Sequence, residues 1–554
     1  MPSEAGHAPR ARAGGHWLAW IVLAIAWFAT APVRPMLDPD EGRYAEIPRE
    51  MLQSGDWVTP RFDGLKYFEK PPLQYWATAA VYAAVGLSEW SSRLWSLALG
   101  FACLTLVFTW TGSLYGREAG RAAALALAVS PYFLIVGHLN LLDAGFTLWL
   151  TAAVFAFTRA QLAAVGSAAE RRGMLAAWAL AALAVLSKGI VVGVLAGGAL
   201  LIYTLLERDA RPWRRLNLAG GVPLFAAIAA PWFIAVSLRN PGFAGFFFVH
   251  EHFARFLTTV HQRVEPWWYF LPLLLLGALP WIAPLARGAA AGWRERSATP
   301  APDAAKPFRP RRFLAVFAAW TLVFFSASGS KLAPYILPMF PPLAALAGAA
   351  VTDVRRMAAQ AARIGALLIA LVIAAGLIYS ARHNAFVPQA ALGWMAAAAG
   401  VTLVALVSTL RAVRLPGAAG GLAAALAGVL AWQFLLCAYA VTPPARSARD
   451  LVASARPWVG LQTSLYSVGQ YRETVSPYLG RTLTLVDYQG ELAYGLAAEP
   501  GRQDLSIAAF IARWSASRDA VAFFDPGIWD SWRRRGFPGR VIAADNYTVA
   551  VSRL

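Results

Sequence analysis

The chain has 554 residues, 58% of them hydrophobic and 14% charged, with a mean hydropathy of +0.50 and a formal net charge of +19. A soluble protein of this length carries about a quarter charged residues and few apolar runs of spanning length, so the composition excludes an ordinary soluble enzyme. The charge does not mark a nucleic-acid binder, because most arginines lie in short segments between alternate apolar runs, where they set topology or meet anionic lipid headgroups.

The first apolar run, 17–31, follows Arg10 and Arg12 and ends in Ala29-Thr30-Ala31, a signal-peptide-like sequence. Pro32 would hinder cleavage there, so the reading is a retained first helix with a cytoplasmic N-terminus. A polar, acid-rich stretch covers 38–72, and the apolar segment 73–85 after it is too short to span and suits an interface. Further spans are predicted at 91–114, 122–139, 142–160, 173–187, 189–206 and 217–238. The rest fall at 267–286, 313–328, 333–351, 364–380, 391–410 and 418–441, about thirteen in all. Cys103 and Cys437 lie inside apolar runs and build no disulfide framework.

With the N-terminus inside, the inside loops hold Arg117/Arg121, Arg159/Arg171/Arg172 and Arg208/Arg211/Arg214/Arg215. They continue with Arg287 through Arg312, Arg355/Arg356/Arg363 and Arg411/Arg414, whereas Lys188, Lys331 and Arg382 stand almost alone outside. The bias is consistent, and an odd number of spans puts the C-terminus outside. From 443 the pattern becomes mixed, with strand-like runs at 483–486, 521–524, 541–543 and 548–551 and a helix-like segment at 503–515. This predicts a small outer α/β domain.

Chemistry is expected at the outer face. The stretch after the first helix reads Asp38-Pro39-Asp40-Glu41-Gly42-Arg43-Tyr44-Ala45-Glu46-Ile47-Pro48-Arg49-Glu50-Met51, followed later by Tyr67-Phe68-Glu69-Lys70-Pro71-Pro72. Carboxylates beside a membrane are costly unless paired or functional; the plain alternative is a solvated loop with surface ion pairs. Asp143, Lys188 and Lys331 sit at outer span ends, where the lysines could merely snorkel. His250-Glu251-His252-Phe253-Ala254-Arg255 maps to the same face. Convergence of acids, bases and histidines at one face of a bundle is the default site hypothesis.

These residues resemble the GT-C family of polyprenyl-phosphate-sugar glycosyltransferases, and within it the lipid A 4-amino-4-deoxy-L-arabinose transferases, relatives of the protein O-mannosyltransferases. The strings that carry the resemblance are Asp40-Glu41-x-Arg43-Tyr44-Ala45-Glu46-Ile47-x-Arg49-Glu50-Met51, Ser54-Gly55-Asp56-Trp57 and Tyr67-Phe68-Glu69-Lys70-Pro71. Leu142-Asp143, Lys188-Gly189, Glu251-His252-x-x-Arg255-Phe256 and Lys331-Leu332-x-x-Tyr335-Ile336-Leu337 follow in order, through about residue 345. The resemblance implies an all-α polytopic membrane protein of GT-C fold, with about thirteen transmembrane helices and a C-terminal periplasmic α/β domain. Residues 1–442 would be the catalytic part, including an outer loop 35–90 with interfacial helices, and 443–554 the soluble domain. It places the chain in the bacterial inner membrane with its active site in the periplasm.

The implied reaction is inverting transfer of aminoarabinose from undecaprenyl phosphate to a lipid A phosphate, a lipopolysaccharide modification that gives resistance to cationic peptides such as polymyxin. Lys70 and Arg255, with Lys188 and Lys331, would bind the departing lipid phosphate. Asp40 is the catalytic candidate, with Glu41, Lys70 and Asp143 beside it. It would orient the acceptor, stabilise oxocarbenium-like charge or pair with the sugar's amino group, or act as general base were the acceptor a Ser or Thr hydroxyl. Arg43, Tyr44, Glu69 and Tyr335 would shape the substrate pocket. A divalent metal such as zinc could sit at the donor phosphate on Glu69 and His250, with His252 as a further ligand, although hydrogen-bonding histidines are the simpler reading. A GT-C transferase acting on protein or another envelope glycan is the nearest alternative. A polyprenyl-lipid transporter is more distant, because the ionisable residues cluster at one face and no inverted repeat is visible.

Overall fold

The computed structural model describes residues 15–254, 265–294, 307–383, 385–412, 419–442, 445–500 and 504–553. Its N-terminal four fifths are a helical bundle. Helix α1 (Gly15–Phe28) leads to a short helix α2 (Asp40–Ser54), a two-stranded hairpin β1 (Arg61–Phe62) and β2 (Leu65–Lys66), and helix α3 (Leu73–Val85). Then come α4 (Glu89–Tyr115), α5 (Arg117–Ala128), α6 (Pro131–Gly137), α7 (Leu142–Leu162), α8 (Ala168–Lys188), α9 (Val191–Glu207), α10 (Arg211–Arg214) and α11 (Leu218–Arg239). A π-helical turn, Gly245–Ala254, precedes the helices Phe270–Ala278, Ile282–Arg294, Pro310–Ala327, Phe340–Ala349, Val354–Arg382, Gln389–Ala412 and Ala419–Ala440.

Local chemistry sets the boundaries. Ser88 caps α4 by accepting the Ser91 N–H at 3.2 Å while the Ser91 hydroxyl reaches back to the Ser88 N–H. Pro131 has no N–H to donate, and α5 and α6 meet there at a 67° bend. Small residues let helices touch: a Cβ on Gly348 would lie 2.5 Å from the Ala119 carbonyl oxygen.

Each of the thirteen predicted runs coincides with helix, but they are not thirteen equal spans. Among the described residues, six helices are long and apolar enough to cross a membrane, seven if the bent pair α5–α6 counts as one. The rest are shorter, as in α9, or carry charge inside the run, as α7 does with Asp143 and Arg159 and α8 with Glu170, Arg171 and Arg172. The polar stretch 38–72 holds a fifteen-residue helix, α2, whose Glu41, Glu46 and Glu50 are buried rather than solvated.

Beyond residue 449 the chain forms a six-stranded sheet ordered β5-β4-β3-β6-β8-β7. The strands are β3 (Ser464–Val468), β4 (Thr484–Val486), β5 (Asp504–Leu505), β6 (Ala520–Phe524), β7 (Arg540–Ala544) and β8 (Val549–Ser552). β3, β4, β5 and β6 pair in parallel, and β8 joins β6 to β7 antiparallel. The β6 residues are all buried, as expected of a strand covered on both faces. β3 had no counterpart among the predicted runs, and the predicted helix 503–515 divides into β5 and a helix, Ile507–Ala516. This unit sits on α2 and the β1–β2 hairpin through charge pairs: Arg472 to Asp38 at 2.9 Å and Arg61 to Glu499 at 3.0 Å. Gly42 permits the contact, since a Cβ there would meet the Glu473 backbone at 2.5 Å.

Candidate active site

The N-terminus of α2 is anchored by one buried ionic cluster. Glu41 receives Arg34 at 2.8 Å and Arg93 at 2.8 Å, and its oxygens also accept the backbone N–H groups of Leu37 and Asn140, each at 3.0 Å. Burial alone would raise this carboxyl, but the two guanidinium groups outweigh it and hold it well below the usual carboxylate range. With every lone pair engaged, Glu41 fixes the start of α2 and faces no cavity. Its neighbour Asp40 is 42% exposed, points into open space and pairs with Arg43 at 2.7 Å.

That space is a cavity of about 290 Å³ beside the outer ends of α7 and α8. Asp40, Arg43 and Tyr44 reach it from α2, Glu69 and Lys70 from the segment before α3. Asp143 and Lys188 reach it from the bundle. Asp143 lies in the first turn of α7 and Lys188 is the last residue of α8, so each charge complements its helix end. Because these ends lie side by side, the two form an ion pair. Lys188 also sits 4.8 Å over the Tyr335 ring. Across the opening, Lys70 lies 3.8 Å from Glu69 and 3.6 Å from Glu251 and donates to the Glu69 carbonyl at 2.9 Å. The remaining wall is largely apolar, with Val191, Val194, Phe324 and Phe325, and carries Ser328 and Ser330.

Of the predicted residues, the fold therefore brings Asp40, Arg43, Tyr44, Glu69, Lys70, Asp143, Lys188 and Tyr335 to one cavity. Glu41 and Lys331 are not on its wall: Lys331 is buried under the loop after Pro310–Ala327, donating to the Ser328 carbonyl at 2.6 Å. Arg255 and the His252 side chain lie outside the described residues. His250 is half-exposed, stacks on Phe246 with ring centroids 5.2 Å apart, and faces Glu251 at 3.5 Å. The expected metal set rests on Glu69, His250 and His252, and the His252 side chain lies outside the described residues. Among the described residues no three His, Cys, Asp or Glu side chains gather to hold an ion, and the ammonium of Lys70 supplies the positive charge beside Glu69 and Glu251.

Glu251 also lines the cavity, and Glu491 touches the site through Arg43. Glu251 lies inside a quoted motif, between two histidines that carry the stronger signal. Glu491, which ion-pairs with Arg43, comes from the C-terminal domain, where a lone acid in a polar tail carries no signal.

Two families match the sequence. The one described as Dolichyl-phosphate-mannose-protein mannosyltransferase covers residues 17–247, and the one described as Aminoarabinose transferase C-terminal domain covers 451–553. The undecaprenyl phosphate-alpha-4-amino-4-deoxy-L-arabinose arabinosyl transferase of Aeromonas hydrophila is 36% identical over 368 residues, a match that spans 64% of this chain and 64% of that relative. Its counterpart from Pseudomonas paraeruginosa is 31% identical over 532 residues, 89% of this chain and 90% of the relative. The crystal structure of ArnT from Cupriavidus metallidurans bound to undecaprenyl phosphate superposes with a TM-score of 0.85 at 32% identity, covering 98% of this chain and 99% of that one.

Proposed function

Since the chain belongs to the family of undecaprenyl phosphate-aminoarabinose arabinosyl transferases, we propose that it moves 4-amino-4-deoxy-L-arabinose from undecaprenyl phosphate to a phosphate of lipid A. The bond between the sugar's anomeric carbon and the lipid phosphate oxygen breaks, and its electron pair leaves with undecaprenyl phosphate. An oxygen of the acceptor phosphate forms the new bond from the opposite side, with inversion. The reading is supported above all by one observation: Asp40, Lys70, Asp143 and Lys188 share a cavity whose other wall is largely apolar, matching a charged headgroup on a long hydrocarbon chain.

The leaving phosphate gains charge as the bond breaks, so Lys70 and Lys188 are assigned to it, Lys70 as a point charge at the mouth. An acceptor phosphate is already anionic and needs no strong base. Asp40, exposed and held by Arg43, is therefore assigned to the developing positive charge on the sugar ring and to its amino group. Asp143 holds Lys188 in place, and Tyr44, Glu69 and Tyr335 border the sugar. The multi-pass chain is placed in the bacterial inner membrane with this face in the periplasm, residues 1–442 as the catalytic part and 443–554 as a domain that closes over it. Adding an amino cation to lipid A lowers its negative charge, which weakens cationic peptides such as polymyxin.

Purified protein with synthetic undecaprenyl phosphate-aminoarabinose and lipid A, followed by mass spectrometry, tests the proposal. The expected product is lipid A heavier by one aminoarabinose, absent with Asp40→Asn and with Lys70→Ala. Donor consumption without that product moves the acceptor to protein or another glycan. Absence of donor turnover in folded protein overturns the transferase reading.

A further inference from the structure

A second cavity, of about 630 Å³, lies on the opposite face of the bundle, among the opening turns of α1, α5, Val354–Arg382 and Ala419–Ala440. α4 runs 27 residues between the two faces, about 40 Å, so this cavity is remote from Asp40. Arg117, Arg121 and Arg355 stand at its mouth, and Trp20, Leu23 and Phe108 line its depth. The lining follows α5 from Arg117 to Ala128, about 16 Å from headgroup level toward the hydrocarbon. Two acids share the mouth. Glu118 is paired with Arg121, and Asp353 caps the next helix through the N–H groups of Arg355 at 2.9 Å and Arg356 at 3.4 Å. The three arginines and two acids of the opening sum to one net positive charge.

A water-soluble anion would use the mouth and waste the depth; a neutral lipid would do the reverse. We propose that the cavity is a binding site for one anionic glycerophospholipid, its phosphate against Arg117, Arg121 and Arg355 and one acyl chain between Leu23, Phe108 and Leu125. Basic pockets between membrane helices select such headgroups by charge, and an apolar floor fixes one chain.

The test uses full-length protein in nanodiscs of dioleoylphosphatidylcholine doped with dioleoylphosphatidylglycerol, with retained lipid read by native mass spectrometry. One phosphatidylglycerol should be retained in preference to phosphatidylcholine. Arg117→Gln and Arg355→Gln should each weaken retention about fivefold, whereas Arg117→Lys and Arg355→Lys keep it. Leu422→Trp, which fills the cavity and leaves the arginines, should also release the lipid. Donor turnover in the variants should match wild type and reports that they are folded. Equal retention of both lipids, unchanged retention in both glutamine variants, or full displacement by excess inorganic phosphate would overturn the assignment.

Discussion

Glu491 of the C-terminal domain ion-pairs with Arg43, and the same guanidinium holds Asp40 at 2.7 Å. One cation thus links the sheet domain to the exposed carboxylate of the candidate site. Arg43 is only 5% exposed, so its two acids position it more firmly than a surface pair would.

Glu491→Ala should therefore disturb Asp40 from a distance. Arg43 would swing toward Asp40 alone, and the carboxylate would lose its set direction. Donor turnover is expected to fall between about ten- and a hundredfold, with donor KM changing little. Steady-state kinetics on purified protein check this, and unaltered kcat would remove the C-terminal domain from the site.

Asp40 and Glu41 are adjacent carboxylates with opposite expected phenotypes. Glu41→Gln strips the counter-charge from Arg34 and Arg93, both buried, at a cost of roughly 3–5 kcal/mol. That variant should melt early or fail to accumulate. Asp40→Asn removes an exposed charge and should melt like wild type while losing turnover. Thermal unfolding measured beside activity separates them. A stable, inactive Glu41→Gln would bring Glu41 back to the chemistry.

The contrast also marks what the sequence could tell. Apolar runs were readable because lipid leaves backbone groups no partner outside a helix, and the acidic strings were readable through resemblance. That the carboxylates of α2 are buried was hidden, because they look solvent-bound until tertiary contacts bring Arg34 and Arg93 to Glu41, while Arg49 pairs with Glu46 along the helix itself. Lys331 shows the reverse: a lysine at a span end looks like a phosphate ligand until its ammonium turns to the Ser328 carbonyl. The apolar wall could not be read at all, since Val194 and Phe324 resemble any other residue of a span.

Stability should respond to pH through Asp63. Burial pushes its carboxyl up to about 8, against the Leu483 N–H at 2.8 Å and the Ser476 hydroxyl at 3.2 Å, with Glu46 adding to the rise and Arg49 opposing it. Glu50, buried beside it, is raised as well. A raised carboxyl pKa means that the folded protein holds a proton the unfolded chain has released. Through Asp63 alone, stability thus falls as pH rises from the ordinary value of 3.8 toward about 8, by at most about 1.4 kcal/mol per pH unit, and Glu50 adds to the fall. Asp63→Asn should flatten that slope, leaving the melting temperature nearly unchanged at pH 4 and higher at pH 8. Parallel slopes for the two proteins would mean that Asp63 is ionised in the folded state.

The Asp143–Lys188 pair allows stability and chemistry to be separated at one site. Each side chain is only 10% exposed, so removing one partner strands the other in a poorly solvated place. Lys188→Met alone should cost on the order of 3 kcal/mol, and Asp143→Asn alone should lower the melting temperature too, since it leaves the ammonium over the Phe146 and Tyr335 rings without its counter-charge. The double variant Asp143→Asn/Lys188→Met removes both charges and should recover most of the lost stability. It should not recover turnover, because the cation assigned to the leaving phosphate is gone. Melting temperature and donor turnover on all four proteins form a double-mutant cycle with two readouts. Recovery of both would make the pair a structural brace only, and recovery of neither would mean that the helix ends depend on each charge separately.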